Sequence, residues 1–395
     1  MYNKNIEYLS GDSNFDLSPE LPFTKKSCDF LGDLSKQLDN SKYLKEYPDI
    51  KTLAFWCRKK NILSIKEKFK TTEPRIGLGL LFHITPSNIP TNFAYSLIFG
   101  LLNGNSNIVR VPSKKFKQID IICSCINELT KKKYKSLKKR ITVIRYKSEN
   151  EDFTGEISKI CNARLIWGGD KTIMNVRKIP LNQKALDISF ADRYSLSVIN
   201  LKKIKEVSDS EINRLIEKFY NDTFVVDQNA CSSPHLIIWL GNDNIKIRNN
   251  FWNKLQKLVS KKYFLPETGS IEKYSQLCSN AINLKNLQNH KIYNNSIYTV
   301  LLKSLDKNTH NLRGKWGYFY EYNTKNLEEI KEYVNSRYQT LTYFGLDKSF
   351  LREFVIKNNL KGIDRIVPIG QALDISFFWD GYDLNKILTR MIDIK

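Results

Sequence analysis

From Arg75 onward the chain alternates short apolar runs with stretches whose apolar positions recur every three to four residues. The runs RIGLGLLFHI (75–84), SNIVRV (106–111), ITVIRY (141–146), ARLIWGG (163–169) and YSLSVIN (194–200) predict buried strands. Between them, 90–104, 115–133 and 170–178 predict helices, the first opened by Pro90 and stopped at Gly104. Strands alternating with helices imply an α/β fold with a parallel sheet covered on both faces.

A second α/β unit begins near Ser208, where SDSEINRLIEKFYND (208–222) carries a helix-capping signal. That helix leads into a polar turn holding Cys231 and then into the strand HLIIWL (235–240). Helices are predicted over 246–263, 271–287 and 325–336, and strands over 296–305, 316–322, 341–346 and 365–370. The expected organisation is a helical N-terminal extension (1–70), a first α/β domain (71–207), a second holding Cys231 (208–375), and a C-terminal segment (376–395) returning to the first.

A length of 395 residues suits two domains. The oily segment Leu80–Leu102 raises the question of a membrane span, but Pro86, Pro90, His83, Asn88 and Asn92 interrupt it, so it reads as buried soluble core. The N-terminus has no apolar stretch behind a basic start, which excludes a signal peptide. Seven irregularly spaced cysteines without a CxxC pair argue against a disulfide framework or structural zinc and fit a reducing cytoplasm. The net charge of +22 is densest in KKKYKSLKKR (131–140), yet lysines run along the whole chain and no nucleic-acid motif accompanies them. No nucleic acid is therefore expected as a partner. A basic surface would also attract phosphate-bearing cofactors, acidic carrier proteins or anionic membrane.

Three short stretches hold candidate chemistry. HITPSNIP (83–90) closes a strand and opens a helix, a place where backbone N–H groups meet anionic or polarised oxygen. There Asn88, between two stiffening prolines, reads either as an oxyanion donor or as a simple helix cap. IWGGD (166–170) ends a strand in two glycines, which lets backbone approach a ligand or merely relieves a tight turn. Cys231 reads as a nucleophile or as buried filler. His235, four residues on, would favour its thiolate or serve the strand it begins. The four histidines show no metal-ligand spacing, so no metal is expected.

Taken in order, these pieces resemble the aldehyde dehydrogenase superfamily, and most closely its acyl-CoA reductase branch, which includes the fatty acyl reductase of bacterial luminescence. TPSNIP is similar to the superfamily's P-W-N-x-P turn, and GNSNIVRVPSK (104–114) to its G-N-T-V-V-x-K-P-S strand. IWGGD stands where the superfamily has F-T-G-S, and DQNAC where it has N-Q-G-Q-x-C. FADRYSLSVIN (190–200) and DRIVPIGQALDISFFWDGYDL (364–384) look specific to the reductase branch.

The resemblance implies a Rossmann-type cofactor domain over 71–207 and a catalytic domain over 208–375. It implies Cys231 as nucleophile, Asn88 as oxyanion donor, and a cofactor held by Ile84, Thr85, Pro86, Arg110, Ser113, Lys114, Gly168 and Gly169. Arg110, Lys114 and Lys115 favour NADPH over NADH through its 2′-phosphate. The glutamate that activates water in oxidising relatives is missing from SFADRYS, which favours thioester exchange over acid formation. GKWGYF (314–319) likewise lacks the glutamate usually found before F-G-P. The expected activity is reduction of acyl-CoA or acyl-protein to aldehyde, with an acyl-protein synthetase or carrier as a possible partner and homo-oligomers common among relatives. The rival readings are a CoA-acylating dehydrogenase of small aldehydes and a basic binding protein on a degenerate dehydrogenase fold.

Overall fold

The four apolar runs before residue 192 supply four strands of one six-stranded sheet. The computed structural model describes residues 6–41, 44, 46–69 and 73–395; the expected limit between extension and first domain, at residue 70, lies outside them. Two units are formed, one by residues 1–192 with 382–395 and the other by 193–381.

The first unit opens with β1 (Glu7–Ser10) and the helices α1 (Lys25–Asp39), α2 (Pro48–Trp56) and α3 (Lys59–Lys68). The N-terminal segment is thus more than a helical extension, because β1 pairs antiparallel with β5 (Ile141–Arg145) at the edge of the sheet. The run 75–84 is two strands, β2 (Arg75–Gly77) and β3 (Leu80–Ile84). Gly79 separates them at φ +124°, and a Cβ there would meet the Asn162 side chain at 2.4 Å, so only glycine fits the break.

Next come α4 (Asn92–Leu102), β4 (Ser106–Val111), α5 (Lys117–Lys132), α6 (Glu151–Ile160), β6 (Ala163–Trp167), α7 (Asp170–Lys178) and β7 (Leu186–Phe190). The strand order is β1-β5-β4-β3-β6-β7, and all but β1 run parallel. From β3 the chain winds outward through β4 and β5, then returns to place β6 on the other side of β3. The carboxyl ends of β3 and β6 therefore form the topological switch point where open α/β sheets hold ligands.

The second unit has a seven-stranded sheet. Its elements are β8 (Tyr194–Asn200), α8 (Leu201–Glu206), α9 (Asp209–Thr223), β9 (Pro234–Leu240), α10 (Ile245–Lys262), α11 (Glu267–Asn283), β10 (Leu287–Tyr293), β11 (Ile297–Leu302), β12 (Tyr318–Thr324), β13 (Tyr338–Phe344), α12 (Lys348–Lys357) and β14 (Arg365–Pro368). The order is β10-β11-β12-β9-β8-β13-β14, parallel except for β10.

The expected limit at 207 is corrected by β8, which hydrogen-bonds to β9 and β13 and so moves the boundary to 192. The expected return at 376 begins at Tyr382, and a final strand, Thr389–Met391, pairs with β2. The predicted helix over 325–336 is only a 3₁₀ turn, Leu327–Ile330. Two apolar clusters occupy the two faces of this second sheet, one around Leu196, Leu236 and Tyr320, the other around Ile237, Trp239, Trp252 and Phe319. Among the described residues no helix is long and apolar enough to cross a membrane.

Candidate active site

In the first unit the sequence-predicted residues collect at the switch point. Ile84, the last residue of β3, is in register with Arg110 on one side and Ile166 on the other. Thr85 extends that seam: its N–H and its hydroxyl both donate to the Arg110 carbonyl, at 3.1 and 2.9 Å. Pro86 and Asn88 follow in the loop before α4, with Asn88 exposed. The Arg110 guanidinium lies 4.8 Å from the Tyr146 ring and donates to the Tyr146 carbonyl, to which Ser113 also donates. Lys114 is exposed, its ammonium 5.1 Å from the Phe116 ring.

Gly168 and Gly169 join β6 to α7. Gly168 donates to the Phe190 carbonyl at 3.2 Å, and a Cβ at Gly169 would meet nothing within 4 Å. Gly169 is also the N-cap of α7, so no side chain occupies the first N–H groups of that helix.

Behind this turn lies a buried polar relay that sequence reasoning missed. The Trp167 indole stacks on Phe190 at 3.7 Å, and its Nε1 donates to Ser96 Oγ at 2.9 Å. Ser96 in turn lies 2.7 Å from His83 Nδ1, and His83 Nε2 lies 3.0 Å from Asn107 Oδ1. Because Asn107 Oδ1 can only accept, the ring proton sits on Nε2, and the unprotonated Nδ1 accepts from the Ser96 hydroxyl. Burial lowers His83 to about 4, so this histidine is neutral and structural. Ser96 sits mid-helix in an apolar run, and nothing in the spacing marks it.

In the second unit Cys231 lies in the turn between α9 and β9. The chain leaves α9 through a 3₁₀ turn (Phe224–Val226) and then places Asp227 and Gln228 in the left-handed region, at φ 54° and 57°. Ser195 of β8 donates to the Cys231 carbonyl at 2.6 Å, and Ser233 donates to the Asp222 carbonyl at 2.7 Å. The cysteine's main chain is thereby tied to the neighbouring strand.

Cys231 is half-buried in this turn. By contrast, Cys28, Cys57, Cys123 and Cys161 are buried, and burial raises their thiols, that of Cys161 to about 12. Cys125, in α5, is raised to about 11. Only the thiolate is nucleophilic, so these five are poor candidates. His235 does not supply a cation to Cys231. It is 3% exposed, stacks on Tyr194 at 5.5 Å, and is lowered to about 3 by burial and by Arg313 and Lys315.

Asp222, at the end of α9, is 1% exposed and accepts from the N–H groups of Gly370 and Ala372 at 2.6 and 2.9 Å. Burial raises its carboxyl from 3.8 to about 7. The folded chain thus holds this proton where the unfolded chain has lost it. Its contribution to stability is complete below pH 3.8 and disappears as pH rises through about 7. The difference in thermal midpoint between wild type and Asp222→Asn should therefore vary with pH over that window. A pH-independent difference would contradict this reading.

The sequence matches the model of the acyl-CoA reductase (LuxC) family over residues 50–391. No curated protein matches it. Among solved structures it is similar to the aldehyde dehydrogenase KauB from Pseudomonas aeruginosa, with a TM-score of 0.65 at 11% identity, covering 93% of this chain and 83% of that one. Aldehyde dehydrogenase 21 from Physcomitrella patens, solved with succinate, gives 0.63 at 11% identity over 92% and 84% of the two chains. A benzaldehyde dehydrogenase from Corynebacterium glutamicum gives 0.60 at 10% identity over 93% and 84%. At these identities the structural likeness establishes the fold.

Proposed function

The chain belongs to the acyl-CoA reductase family, and from that membership we propose that it reduces a fatty acyl thioester to an aldehyde with NADPH, through an acyl group carried on Cys231. The observation that carries this reading is the half-buried Cys231 on a main chain tied to β8, in the turn that resembles the family's nucleophile segment.

The residues at the first unit's switch point fit a nicotinamide dinucleotide. Gly169 faces open space, the α7 N-terminus carries no side-chain cap, and Arg110 keeps a buried Nε without a partner. Ile84, Thr85, Pro86, Gly168 and Gly169 would hold it, and Arg110, Ser113 and Lys114 would meet a 2′-phosphate. When bound, it supplies the reducing equivalent that converts the acyl group to aldehyde.

The chain's own residues perform the acyl transfer. The Cys231 thiolate attacks the thioester carbonyl, an Sγ–C bond forms, and the carbonyl oxygen becomes an oxyanion. The Cys231 main-chain N–H and, by the resemblance of TPSNIP, the Asn88 amide stabilise that charge. The C–S bond to the carrier then breaks and the carrier thiol leaves. Residues 189–195 hold no glutamate to activate water, so the acyl group stays on sulfur until it is reduced.

The test is NADPH oxidation against acyl-CoAs of graded length, followed by the absorbance of the cofactor. Rates that rise with chain length support the proposal. Faster turnover of short aldehydes in the acylating direction would replace it with a CoA-acylating dehydrogenase.

A further inference from the structure

Lys273 lies on α11, far in sequence from Cys231, and is 2% exposed. Its ammonium donates to three main-chain carbonyls, those of Asn295, Ser296 (3.0 Å) and Trp316 (3.1 Å). An ammonium has three hydrogens, and all three are used. No other side chain radiates three donors from one atom, and the planar fork of arginine would not converge on two separate segments in this way. The Tyr298 ring, 4.8 Å away, covers the charge.

The segment that Lys273 holds is itself bound to the nucleophile turn. Trp316 donates its N–H to the Asp227 carbonyl at 3.4 Å. The next two N–H groups, of Gly317 and Tyr318, donate to Gln228 Oε1 at 2.9 and 3.1 Å. Gln228 Nε2 donates back to the Tyr318 carbonyl at 3.2 Å and to the Pro234 carbonyl at 3.3 Å. The side-chain amide of Gln228, three residues before Cys231, is thereby fully engaged and 1% exposed.

Left-handed backbone concentrates along this path. Asp227, Gln228, Asn294 and Trp316 have φ between 51° and 59°, and Gly317 has 85°. Non-glycine residues occupy that region only where their surroundings hold them. Here the holding groups are Lys273, the Gln228 amide, the Tyr263 hydroxyl on Asp227, and Glu272, which accepts from the Trp316 indole at 2.9 Å. The α11 backbone also lies so close to Trp316 that a Cβ at Gly269 would come within 2.9 Å of its ring.

We propose that Lys273 is a positioning residue for Cys231, acting through the Trp316 carbonyl and the Gln228 amide to keep the turn ahead of the cysteine in its left-handed conformation. The inference rests on the reading of Cys231 as the acylated nucleophile. Lys273→Met removes the three donors at similar length, and Gln228→Met breaks the second link while leaving Lys273 in place.

The test is alkylation of Cys231 by iodoacetamide, followed by peptide mapping. Cys278, exposed on α11 itself, is the internal control. Single-turnover acylation from radiolabelled acyl-CoA and the KM for NADPH complete the set. In both variants Cys231 alkylation and acylation should fall by about tenfold to a hundredfold, with Cys278 alkylation and the KM for NADPH unchanged. Should Lys273→Met fail to fold, Gln228→Met decides alone. Wild-type rates at Cys231, or an equal fall at both cysteines, would overturn the role of Lys273. A wild-type enzyme that is never acylated at Cys231 would instead overturn the reading beneath it, and the alkylation comparison would still be readable.

Discussion

Cys231→Ala is expected to abolish acyl-enzyme formation and to lower turnover by roughly ten-thousandfold or more, as loss of a covalent nucleophile does elsewhere. No other cysteine is placed to replace it. Four are buried with raised thiols, Cys125 is raised within α5, and Cys278 is exposed on a regular helix. Because Cys231 is only half-buried, the substitution should cost about 1 kcal/mol or less in stability. NADPH binding, followed by fluorescence, should be unchanged, since the proposed cofactor residues belong to the other unit. The decisive measurement is retention of label from radiolabelled acyl-CoA after denaturation. A Cys231→Ala protein that keeps the label would place the acyl group elsewhere and end the proposed mechanism.

A second large effect is expected on stability rather than chemistry. Glu321 of β12 is 4% exposed in the core of the second unit. Its Oε1 accepts from Trp239 Nε1 at 2.6 Å and from Trp252 Nε1 at 2.9 Å, and Arg248 stands 3.6 Å away. Trp239 and Trp252 are fully buried, so neither indole has water as an alternative partner. Glu321→Leu leaves two donors unmet, at about 1–3 kcal/mol each. Arg248 retains Asp243 at 3.0 Å, which limits the loss of its charge compensation. Glu321→Gln keeps an acceptor and should lose much less. Denaturant midpoints give the comparison, and equal losses for the two variants would show that the oxygen is not what matters.

How far the structure could be read from sequence depends on what each segment buries. Strands buried on both faces, such as β3, β4 and β6, appear as plain apolar runs and were legible. The same property hides which sheet a strand joins: β8 looks like one more strand of the first sheet, and only its hydrogen bonds to β9 and β13 assign it to the second.

β10 was invisible for the opposite reason. Its sequence LQNHKIY is mostly exposed, and it is held chiefly by main-chain pairing with β11, with only Tyr293 at its end buried. In 325–336 the buried Leu327, Ile330 and Val334 follow helical spacing, but Leu327 and Ile330 are three apart, which a 3₁₀ turn satisfies equally well. At the candidate site, the strand-end turns were readable because glycine and proline punctuate them. Ser96, Gln228 and Lys273 were not, because each acts through hydrogen bonds to residues distant in sequence.

The pairing of Thr389–Met391 with β2 has a consequence for the order in which the chain matures on the ribosome. Residues 193–381 are continuous, so the body carrying the cysteine can finish folding once its own last residues emerge. The earlier-made body must wait. Arg75 takes its partners from Lys386 and Thr389, and the buried Asn105 amide donates to the Leu388 carbonyl at 2.9 Å. The first half to be translated is thus the last to be sealed. Until then the edge of β2 is unpaired, and the late-arriving C-terminal residues close it.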